Sequence, residues 1–596
     1  KRPYGAVPSG TSVYFTLRPP RSAGFSRAVL TARFESRPED ELVRILLPWA
    51  GLEGNRDLFS GVLPTEDYVG LVWYSLRLEG LNGDVQELGE YQLTVYDGSS
   101  QVPAWFGEGC TYQIFPDRFR RVQVPDPTGM VGGRSVHTSW EEEPDYRPDA
   151  NGEIRNRDFF GGSLAGVIEK LPYLHSLGVE TLYFCPVFEA PENHRYGTGD
   201  YEKIDPMLGS NEEFSALCQA AHTLGMHVIV DGVFNHTGFV SRYFNGDGSY
   251  PGVGAVQSPH SPYAAWYQFR QWPGEYESWW GIYSLPSVNE DDPSYREYII
   301  CGKDSIVRRW LRAGADGWRL DVADELPDSF VHELHQAVRE TKPNAVVIGE
   351  VWEDGTTKIA YGVRRKHILG GHCDGLMNYP FRNSLVSFLL GEDAAVFREA
   401  METLRENYPP FAFSSAMNFL GTHDTPRILT LLGVGSPCGS ESRDWRARFR
   451  MSPEQYALGR ARLKLGALVL FAFPGSPMVY YGDEAGMEGF EDPFNRRTFP
   501  WGREDRELTQ WYAALGKARR ECGALRRGDL QWLRAEGPVM AFSRSHHGQT
   551  LVAAVNAGGT PQTLRLPWPT RDLLGGARFP AAVPLPPMTG FLLERI

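Results

Sequence analysis

Two carboxylates, Asp321 and Glu350, each stand at the end of a short apolar segment of the sequence and could act together on one bond. Asp321 ends the predicted strand Gly317–Asp321 and Glu350 ends Val346–Glu350, with a predicted helix over about 328–341 between them. Parallel α/β barrels present catalytic groups in this way, from the tips of successive strands at one face. Such a carboxylate pair can cleave a glycosidic bond, with one group as nucleophile and the other as general acid and base.

The neighbours of these carboxylates indicate which role each could take. Arg319 lies two residues before Asp321, so both side chains point to the same face of a strand. A guanidinium favours the ionised form of a nearby carboxylate, and we therefore expect Asp321 to be an ionised nucleophile. The very apolar strand before Glu350 favours a protonated general acid, and Trp352 could wall the leaving-group side. A structural ion pair for Asp321 and a helix cap for Glu350 are the alternatives.

Two further polar clusters follow apolar segments in the same way. His236 follows the predicted third strand and could donate to a sugar hydroxyl, while Asp231 of the same cluster could orient Arg319. His423 and Asp424 follow the predicted seventh strand and could hold the 2- and 3-hydroxyls of the sugar that is cleaved. Hydrogen bonds to these hydroxyls strengthen as the transition state forms. Each cluster alone could be a surface or cap feature, but four clusters at four strand ends indicate one active site.

The alternation of strand and helix patterns predicts how these clusters meet. From about 101 to 526, eight predicted strands alternate with helical segments, which indicates an α/β fold with a (β/α)8 TIM barrel. The predicted strands are Cys110–Phe115, Thr181–Val187, Val228–Val233, Gly317–Asp321, Val346–Glu350, Gly375–Tyr379, Ala416–Gly421 and Pro477–Tyr481. The predicted helices include Leu164–Leu177, Asn211–Leu224, Tyr295–Leu311 and Tyr456–Phe471.

The remaining segments predict three further units around the barrel. Residues 1–100 and 527–596 carry short β runs, so we expect an N-terminal and a C-terminal β-sandwich domain. The connection 237–292, after the third strand, is too long for one helix and rich in Gly, Pro, Tyr and Trp. It predicts a small inserted domain beside the active face, which leaves 101–236 and 293–526 for the catalytic TIM barrel.

The composition is that of a globular protein and disfavours several classes of partner. The 596 residues are 42% hydrophobic and 22% charged, with a formal net charge of −14. An acidic surface argues against a nucleic-acid partner, and no apolar run reaches the ~18 residues of a membrane span.

The seven cysteines, at 110, 185, 218, 301, 373, 438 and 522, form no Cys-x-x-Cys pair. A zinc site is therefore not expected, and reduced thiols favour a cytoplasmic location. The first residues lack the apolar segment of a signal peptide, and secretion stays the open alternative.

Together, the four clusters resemble those of the alpha-amylase family of retaining glycoside hydrolases, in the family's order and over roughly residues 105–525. The resemblance implies that Asp321 is the nucleophile, Glu350 the acid and base, and Asp424 the stabiliser of the transition state. It also implies substrate contacts for a second set of residues, in which the tyrosine stacks on the sugar that is cleaved. These residues are Tyr196, His236, Arg319 and His423.

Three shorter segments are similar to the neopullulanases and cyclomaltodextrinases within this family. The segment Leu285–Asn289 looks like their extra motif, and Asp321–Glu325 resembles their Asp-Val-Ala-Asn-Glu, with Asp324 in place of Asn. The segment Asp492–Arg496 resembles the one whose Asp and Arg bind the sugar on the −2 side. The likeness thus implies substrate binding by Asn289, Asp492 and Arg496. An N-terminal β-sandwich in such proteins is often a starch-binding or dimerisation module, which implies a homodimer.

The calcium-binding stretch of some relatives is altered here. Relatives with this site have a stretch rich in Asn and Asp after the first strand, where this sequence has Arg120–Val124. They also have an Asp in a Gly-Gly-Asp segment, where this sequence has Gly161–Ser163. A hard cation needs several oxygen ligands, so we expect no calcium and no other cofactor. Asp149, Asn151 and Asp158 leave an alternative site.

The function predicted from these residues is hydrolysis of α-1,4-glucosidic bonds in maltooligosaccharides, cyclodextrins or pullulan, with retention of anomeric configuration. The partner is then an α-glucan oligosaccharide. Transglycosylation and glucosyl isomerisation use the same residues and are the nearest alternatives. A carbohydrate-binding protein without activity is an alternative of a different class, although such proteins typically lack one of the carboxylates.

Overall fold

The computed structural model of the chain describes residues 1–150, 152–436 and 440–596. The expectations for Asn151 and Cys438 therefore lie outside the described residues. Within them, no helix combines the length and the apolar character that crossing a membrane requires.

Eight parallel strands form the sheet that positions the site, and the predicted barrel is confirmed. We label the strands β1 to β8 along the chain; their order in the sheet is 6-5-4-3-2-1-8-7. A parallel bridge between Met377 and Met417 joins β6 to β7 and closes the circle. The strands are Cys110–Ile114, Val179–Phe184, His227–Gly232, Gly317–Leu320, Val346–Gly349, Gly375–Leu376, Met417–Phe419 and Ser476–Tyr480.

Helices cover the outside of this barrel and bury its apolar strands. Every residue of β1, β4, β5 and β8 is buried, as parallel sheets covered on both faces require. The α-helices of the barrel region are Pro116–Phe119, Leu164–Ser176, Asn211–Thr223, Pro293–Arg296, Ile306–Ala313, Asp328–Thr341, Tyr379–Leu390, Ala394–Asn407, Pro410–Ser414, Ile428–Val434, Arg443–Arg448, Pro453–Ala472, Arg506–Glu521 and Gly523–Arg527.

One predicted helix is wrong as a continuous element. The pattern from Tyr295 to Leu311 is divided into the helix Pro293–Arg296, a π-helical turn over Glu297–Cys301 and the helix Ile306–Ala313. The break falls at Gly302, whose backbone is extended with φ −57° and ψ 148°. Hydrophobic periodicity continues across the break because both pieces bury one face against the same barrel, so the pattern alone does not reveal it.

Antiparallel sheets flank the barrel in sequence, as predicted. The N-terminal region has a five-stranded sheet in the order Val7–Pro8, Val85–Tyr96, Gly70–Gly80, Phe25–Phe34 and Leu42–Leu47, and a three-stranded sheet of Ser12–Leu17, Arg56–Pro64 and Trp49–Glu53. Only the short Val7–Pro8 pairing in it is parallel. The C-terminal region has a six-stranded sheet of Asp529–Glu536, Val539–His546, Gln549–Asn556, Thr589–Arg595, Thr570–Asp572 and Arg578–Phe579, and a pair of Gln562–Arg565 with Ala582–Leu585.

The stretch 237–292 holds only short elements. They are the 3-10 turns Ala264–Trp266 and Trp279–Gly281 and the hairpin of Phe269–Gln271 with Glu275–Tyr276. A bridge between His236 and Ser287 ties its two ends together above β3. Its description as a separate inserted domain, like the other domain boundaries, stays a prediction.

Candidate active site

The carboxyl ends of the barrel strands surround a cavity of about 1260 Å³. Nine of the eleven predicted site residues line it: Asp321, Glu350, Asp424, Tyr196, His236, Trp352, His423, Asp492 and Arg496. Arg319 is fully buried next to the cavity. Asn289 does not line it, because its side-chain oxygen accepts a hydrogen bond from the backbone N–H of Asp291 at 3.2 Å and shapes a turn.

Arg319 contacts three buried carboxylates at once. Its Nη1 atom donates to Asp231 at 2.8 and 3.0 Å and to Asp321 at 2.8 Å. Its Nη2 atom forms an ion pair of 2.8 Å with Glu350, without the alignment of a hydrogen bond. One guanidinium therefore fixes the positions of three carboxylates that come from β3, β4 and β5.

The electrostatics of Asp321 differ from the expectation that Arg319 would keep it ionised. Burial, the largest cause, raises the pKa of Asp321 well above its usual value, and Glu350 and Asp231 add to the rise while Arg319 opposes it. The pKa of Asp231 is also raised by burial. One cation shared by three buried carboxylates does not neutralise them all, so the cluster favours holding a proton.

Glu350 is held from two sides. Its Oε2 accepts from the backbone N–H of Val322 at 2.9 Å, and its Oε1 accepts from the indole N–H of Trp352 at 3.2 Å. Val322 adopts a left-handed backbone conformation with φ 40°, which is costly for a β-branched residue and typical of functional sites. Trp352 stacks on Tyr379 with ring centroids 4.0 Å apart and remains 47% exposed, so it forms a wall beside Glu350.

Tyr196 and His423 form another part of the cavity wall. The phenol of Tyr196 donates to Asp231 at 3.0 Å and lies 2.6 Å from Nε2 of His423, and the two rings are nearly parallel. Burial lowers the pKa of His423 well below its usual value, and Arg496 lowers it further. His423 is thus neutral, and its Nε2 also lies 3.2 Å from Asp424.

His236 and Arg496 complete the polar lining. Burial lowers the pKa of His236 to about 4, so it is neutral at pH 7, and its buried Nε2 has no hydrogen-bond partner. Arg496 pairs with Asp492 at 3.1 Å, donates to the His423 carbonyl at 3.0 Å and lies 3.6 Å from Asp424. A hydroxyl-bearing ligand would find both an unused ring nitrogen and carboxylate oxygens here.

Part of the cavity wall was missed in the sequence. The connection after β1 contributes residues 153–157, and the stretch after β3 contributes Trp279 and Trp280. The length of the first connection, from Ile114 to Leu164, was the available signal. Long loops at the carboxyl face of a barrel usually carry function.

Two of the three alternative calcium ligands, Asp149 and Asp158, are already engaged. Asp158 lies within ion-pair distance of Arg118 and His137 and accepts a hydrogen bond from Asn193 at 2.9 Å. Asp149 accepts from Arg155 at 2.7 Å. Over residues 1–150, 152–436 and 440–596, no group of three or more His, Cys, Asp or Glu side chains has an arrangement that could hold a metal ion.

Comparisons with known proteins agree with this geometry. The family model for the alpha amylase catalytic domain matches residues 113–532. The amylopullulanase of Thermoanaerobacter thermohydrosulfuricus is 38% identical over 76% of this chain, and neopullulanase 2 of Thermoactinomyces vulgaris is 31% identical over 96% of this chain and 92% of its own length. The type III pullulan hydrolase from Thermococcus kodakarensis superposes with a TM-score of 0.70 at 26% identity, over 99% of this chain and 98% of that one.

The relatives differ in length. The chain spans 32%, 41% and 31% of three curated amylopullulanases that it matches. The likeness to neopullulanase 2, in contrast, extends over nearly the whole of both proteins.

Proposed function

This chain belongs to the alpha-amylase family of glycoside hydrolases, and on that premise we propose that it hydrolyses α-1,4-glucosidic bonds in maltooligosaccharides, cyclodextrins or pullulan with retention. The observation that carries the proposal is the convergence of Asp321, Glu350 and Asp424 on one cavity, with Arg319 in contact with the first two. A family member without activity would be expected to lack one of these groups.

In the proposed reaction, Glu350 gives its proton to the oxygen of the departing sugar while a carboxylate oxygen of Asp321 attacks the anomeric carbon. The C–O bond breaks and a glycosyl ester on Asp321 forms. Glu350 then takes a proton from water, whose oxygen attacks the anomeric carbon and frees Asp321. The first step needs Asp321 in its ionised form, which the Arg319 guanidinium at 2.8 Å favours against the effect of burial on the pKa of Asp321.

The surrounding residues have supporting roles in this proposal. Asp424 stabilises the positive charge that develops on the sugar ring, and His236 and His423 bind its hydroxyl groups as neutral rings. Tyr196 stacks on the ring that is cleaved, and Trp352 stacks on the departing sugar. Asp492 and Arg496 bind the next sugar on the non-reducing side.

Product chromatography tests the proposal. Purified protein would be incubated with maltotriose, β-cyclodextrin and pullulan, with the Asp321→Asn protein as control. Glucose and maltose from the first two substrates, and panose from pullulan, are expected. Proton NMR of the first product would show the α-anomer. Absence of product from all three substrates, or initial release of the β-anomer, would contradict the proposal.

Transglycosylation and isomerisation remain rival outcomes of the same chemistry. Adding an excess of glucose as acceptor distinguishes them, because a transferase would form longer oligosaccharides in proportion to the acceptor. Sucrose or maltose converted to an isomer without net hydrolysis would indicate an isomerase. Saccharide binding without any product would indicate the non-catalytic alternative.

We also propose that the reaction requires no metal ion, since Asp158 is already engaged by Arg118, His137 and Asn193. Treatment with EDTA followed by gel filtration should leave both activity and melting temperature unchanged. Loss of either, restored by calcium but not by magnesium, would contradict this.

A homodimer and a cytoplasmic location are further proposals. Exposed apolar side chains on the N-terminal sheets, among them Tyr14, Leu46 and Trp49, support a dimer contact. Light scattering coupled to gel filtration would give twice the 66.9 kDa chain mass if the protein is a dimer.

The six described cysteines are all unpaired, which supports a location in a reducing compartment. Fractionation of the source cells would test this location.

A further inference from the structure

Two ionisable side chains in the cavity wall have no ion pair and no hydrogen bond to another described residue. Oε2 of Glu192 is buried and makes no hydrogen bond. Arg157 also lines the cavity, and no hydrogen bond or ion pair forms at its guanidinium among the described residues. The other charged residues of the wall, such as Lys358 with Asp324 at 3.0 Å, are paired within the protein.

The position of both residues in the barrel gives their place relative to the reaction. Arg157 lies in the connection after β1 and Glu192 in the connection after β2, whereas Trp352 and Lys358 follow β5. Two strands lie between β2 and β5 and three between β1 and β5, so these connections face each other across the mouth of the barrel. In the proposed reaction Glu350, at the end of β5, protonates the leaving oxygen. The departing sugar therefore lies on the β5 side, and the non-reducing part of the chain lies toward Glu192 and Arg157.

The local backbone positions both residues in the wall. The carboxyl group of Glu192 packs on Gly197, where an added Cβ would stand 2.6 Å from Oε2. Gly197 directly follows Tyr196, the residue expected to stack on the sugar that is cleaved. The Arg157 carbonyl accepts the backbone N–H of Ser135 at 2.9 Å, which fixes the wall that carries its side chain.

The charge state of Glu192 suits recognition of hydroxyl groups. Burial raises the pKa of Glu192 to about 7, while Arg157 opposes the rise without pairing with it. Near pH 7 the carboxyl group can accept a hydrogen bond or donate one, and the guanidinium can only donate. An acceptor and a donor that face a sugar cavity without satisfying each other match two hydroxyl groups of one glucosyl unit.

We propose that Glu192 and Arg157 form a specificity-determining subsite that binds hydroxyl groups of a glucosyl unit on the non-reducing side of the cleaved sugar. The inference rests on the proposed function, which supplies the direction of the sugar chain. Because the contacts form equally with substrate and transition state, their loss should raise KM and leave kcat almost unchanged.

Nitrophenol release from 4-nitrophenyl α-glucoside, α-maltoside and α-maltotrioside tests this subsite. The leaving group is constant in this series, and only the non-reducing side grows. Glu192→Ala and Arg157→Gln should each lower kcat/KM for the two longer substrates about tenfold or more, through KM, with less than a twofold effect on the glucoside. Glu521→Gln and Arg565→Gln, at exposed positions away from the cavity, are matched controls.

An equal loss on all three substrates would indicate a structural role, and no loss on any would show that the residues do not touch the sugar; either result overturns the subsite. If the unsubstituted protein releases no nitrophenol, the proposed function fails instead. Calorimetry of maltotriose binding to the Asp321→Asn protein, with and without Glu192→Ala, then decides the subsite. An affinity that is unchanged by Glu192→Ala, or no binding at all, would overturn it.

Discussion

At the scale of single residues, the site is governed by a shortage of positive charge. Asp231, Asp321 and Glu350 come from three strands and share one guanidinium, that of Arg319. Burial strengthens their mutual repulsion because little water remains to screen it. A proton retained by this cluster relieves the repulsion.

Replacing Asp321 by Asn tests the covalent step directly. The amide keeps the shape of the side chain but is a very poor nucleophile, so we expect kcat on maltotriose to fall about 10³-fold or more. Binding of maltotriose should persist, as measured by calorimetry. Substantial residual turnover would reject Asp321 as the nucleophile. Glu521→Gln should retain full activity in the same assay.

A second buried carboxyl, Glu484, makes stability depend on pH. It accepts hydrogen bonds from Tyr112 at 2.7 Å and Tyr173 at 2.9 Å, yet burial raises its pKa to about 7 from 4.5. The folded state holds this proton more tightly than the unfolded state. Its stabilising contribution is therefore complete below about pH 4.5 and is lost as the pH rises through about 7.

We therefore expect the free energy of unfolding to fall less between pH 5 and pH 8 in Glu484→Gln than in the unsubstituted protein. The difference should be about 2.5 kcal/mol, from the 1.36 kcal/mol of each pKa unit over the part of the titration that lies above pH 5. Urea denaturation at both pH values measures it, with Glu521→Gln as the control. Parallel pH profiles for the two proteins would argue against this titration.

At the scale of elements, close contacts between helices and loops hold the outer ring of the barrel. Gly516, in the helix Arg506–Glu521, packs on the backbone of Leu177 and Gly178, directly after the helix Leu164–Ser176. An added Cβ would collide with the carbonyl oxygen of Leu177, which is backbone and has little freedom to move. This contact sets the distance between the helix Arg506–Glu521, which follows β8, and the helix Leu164–Ser176, which follows β1.

Gly516→Ala should accordingly lower the free energy of unfolding by about 1–3 kcal/mol, since overpacking outweighs the helix propensity of Ala. The control is Gly252→Ala, where nothing lies within 4 Å of the new Cβ and the effect should stay below about 0.5 kcal/mol. Thermal denaturation of both variants measures the difference. Equal melting temperatures would mean that the helix shifts without cost.

At the scale of the whole molecule, the N-terminal sheets are tied to the rim of the cavity. Glu35 forms an ion pair of 2.9 Å with Arg364, in the hairpin Ile359–Ala360 with Val363–Arg364. Tyr361, at the tip of this hairpin, contacts Glu325, which lines the cavity. Contacts of the N-terminal region can thus influence the leaving-group side without reaching the catalytic carboxylates.

A double-mutant cycle at Glu35 and Arg364 should give a coupling energy of about 0.5–1 kcal/mol, because both side chains are partly buried. Glu35→Gln, Arg364→Gln and the double variant would be compared by urea denaturation. The more exposed pair Arg77 and Glu87, treated in the same way, should couple by only a few tenths of a kcal/mol. Coupling no larger than that of the control pair would show that this contact does not dock the N-terminal region.

The sequence alone determined the barrel and predicted most of the polar groups that line its cavity. Short strand-like segments that end in Asp321 or Glu350, or that His236 follows, are local patterns, and parallel strands must bring their carboxyl ends together. Tertiary structure decided the rest, because it depends on neighbours distant in the chain. It removed Asn289 from the cavity, broke the helix at Gly302 and left Oε2 of Glu192 without a hydrogen bond. It also set the electrostatics of Asp321, because burial and three gathered carboxylates, which raise its pKa, are not properties of any one segment.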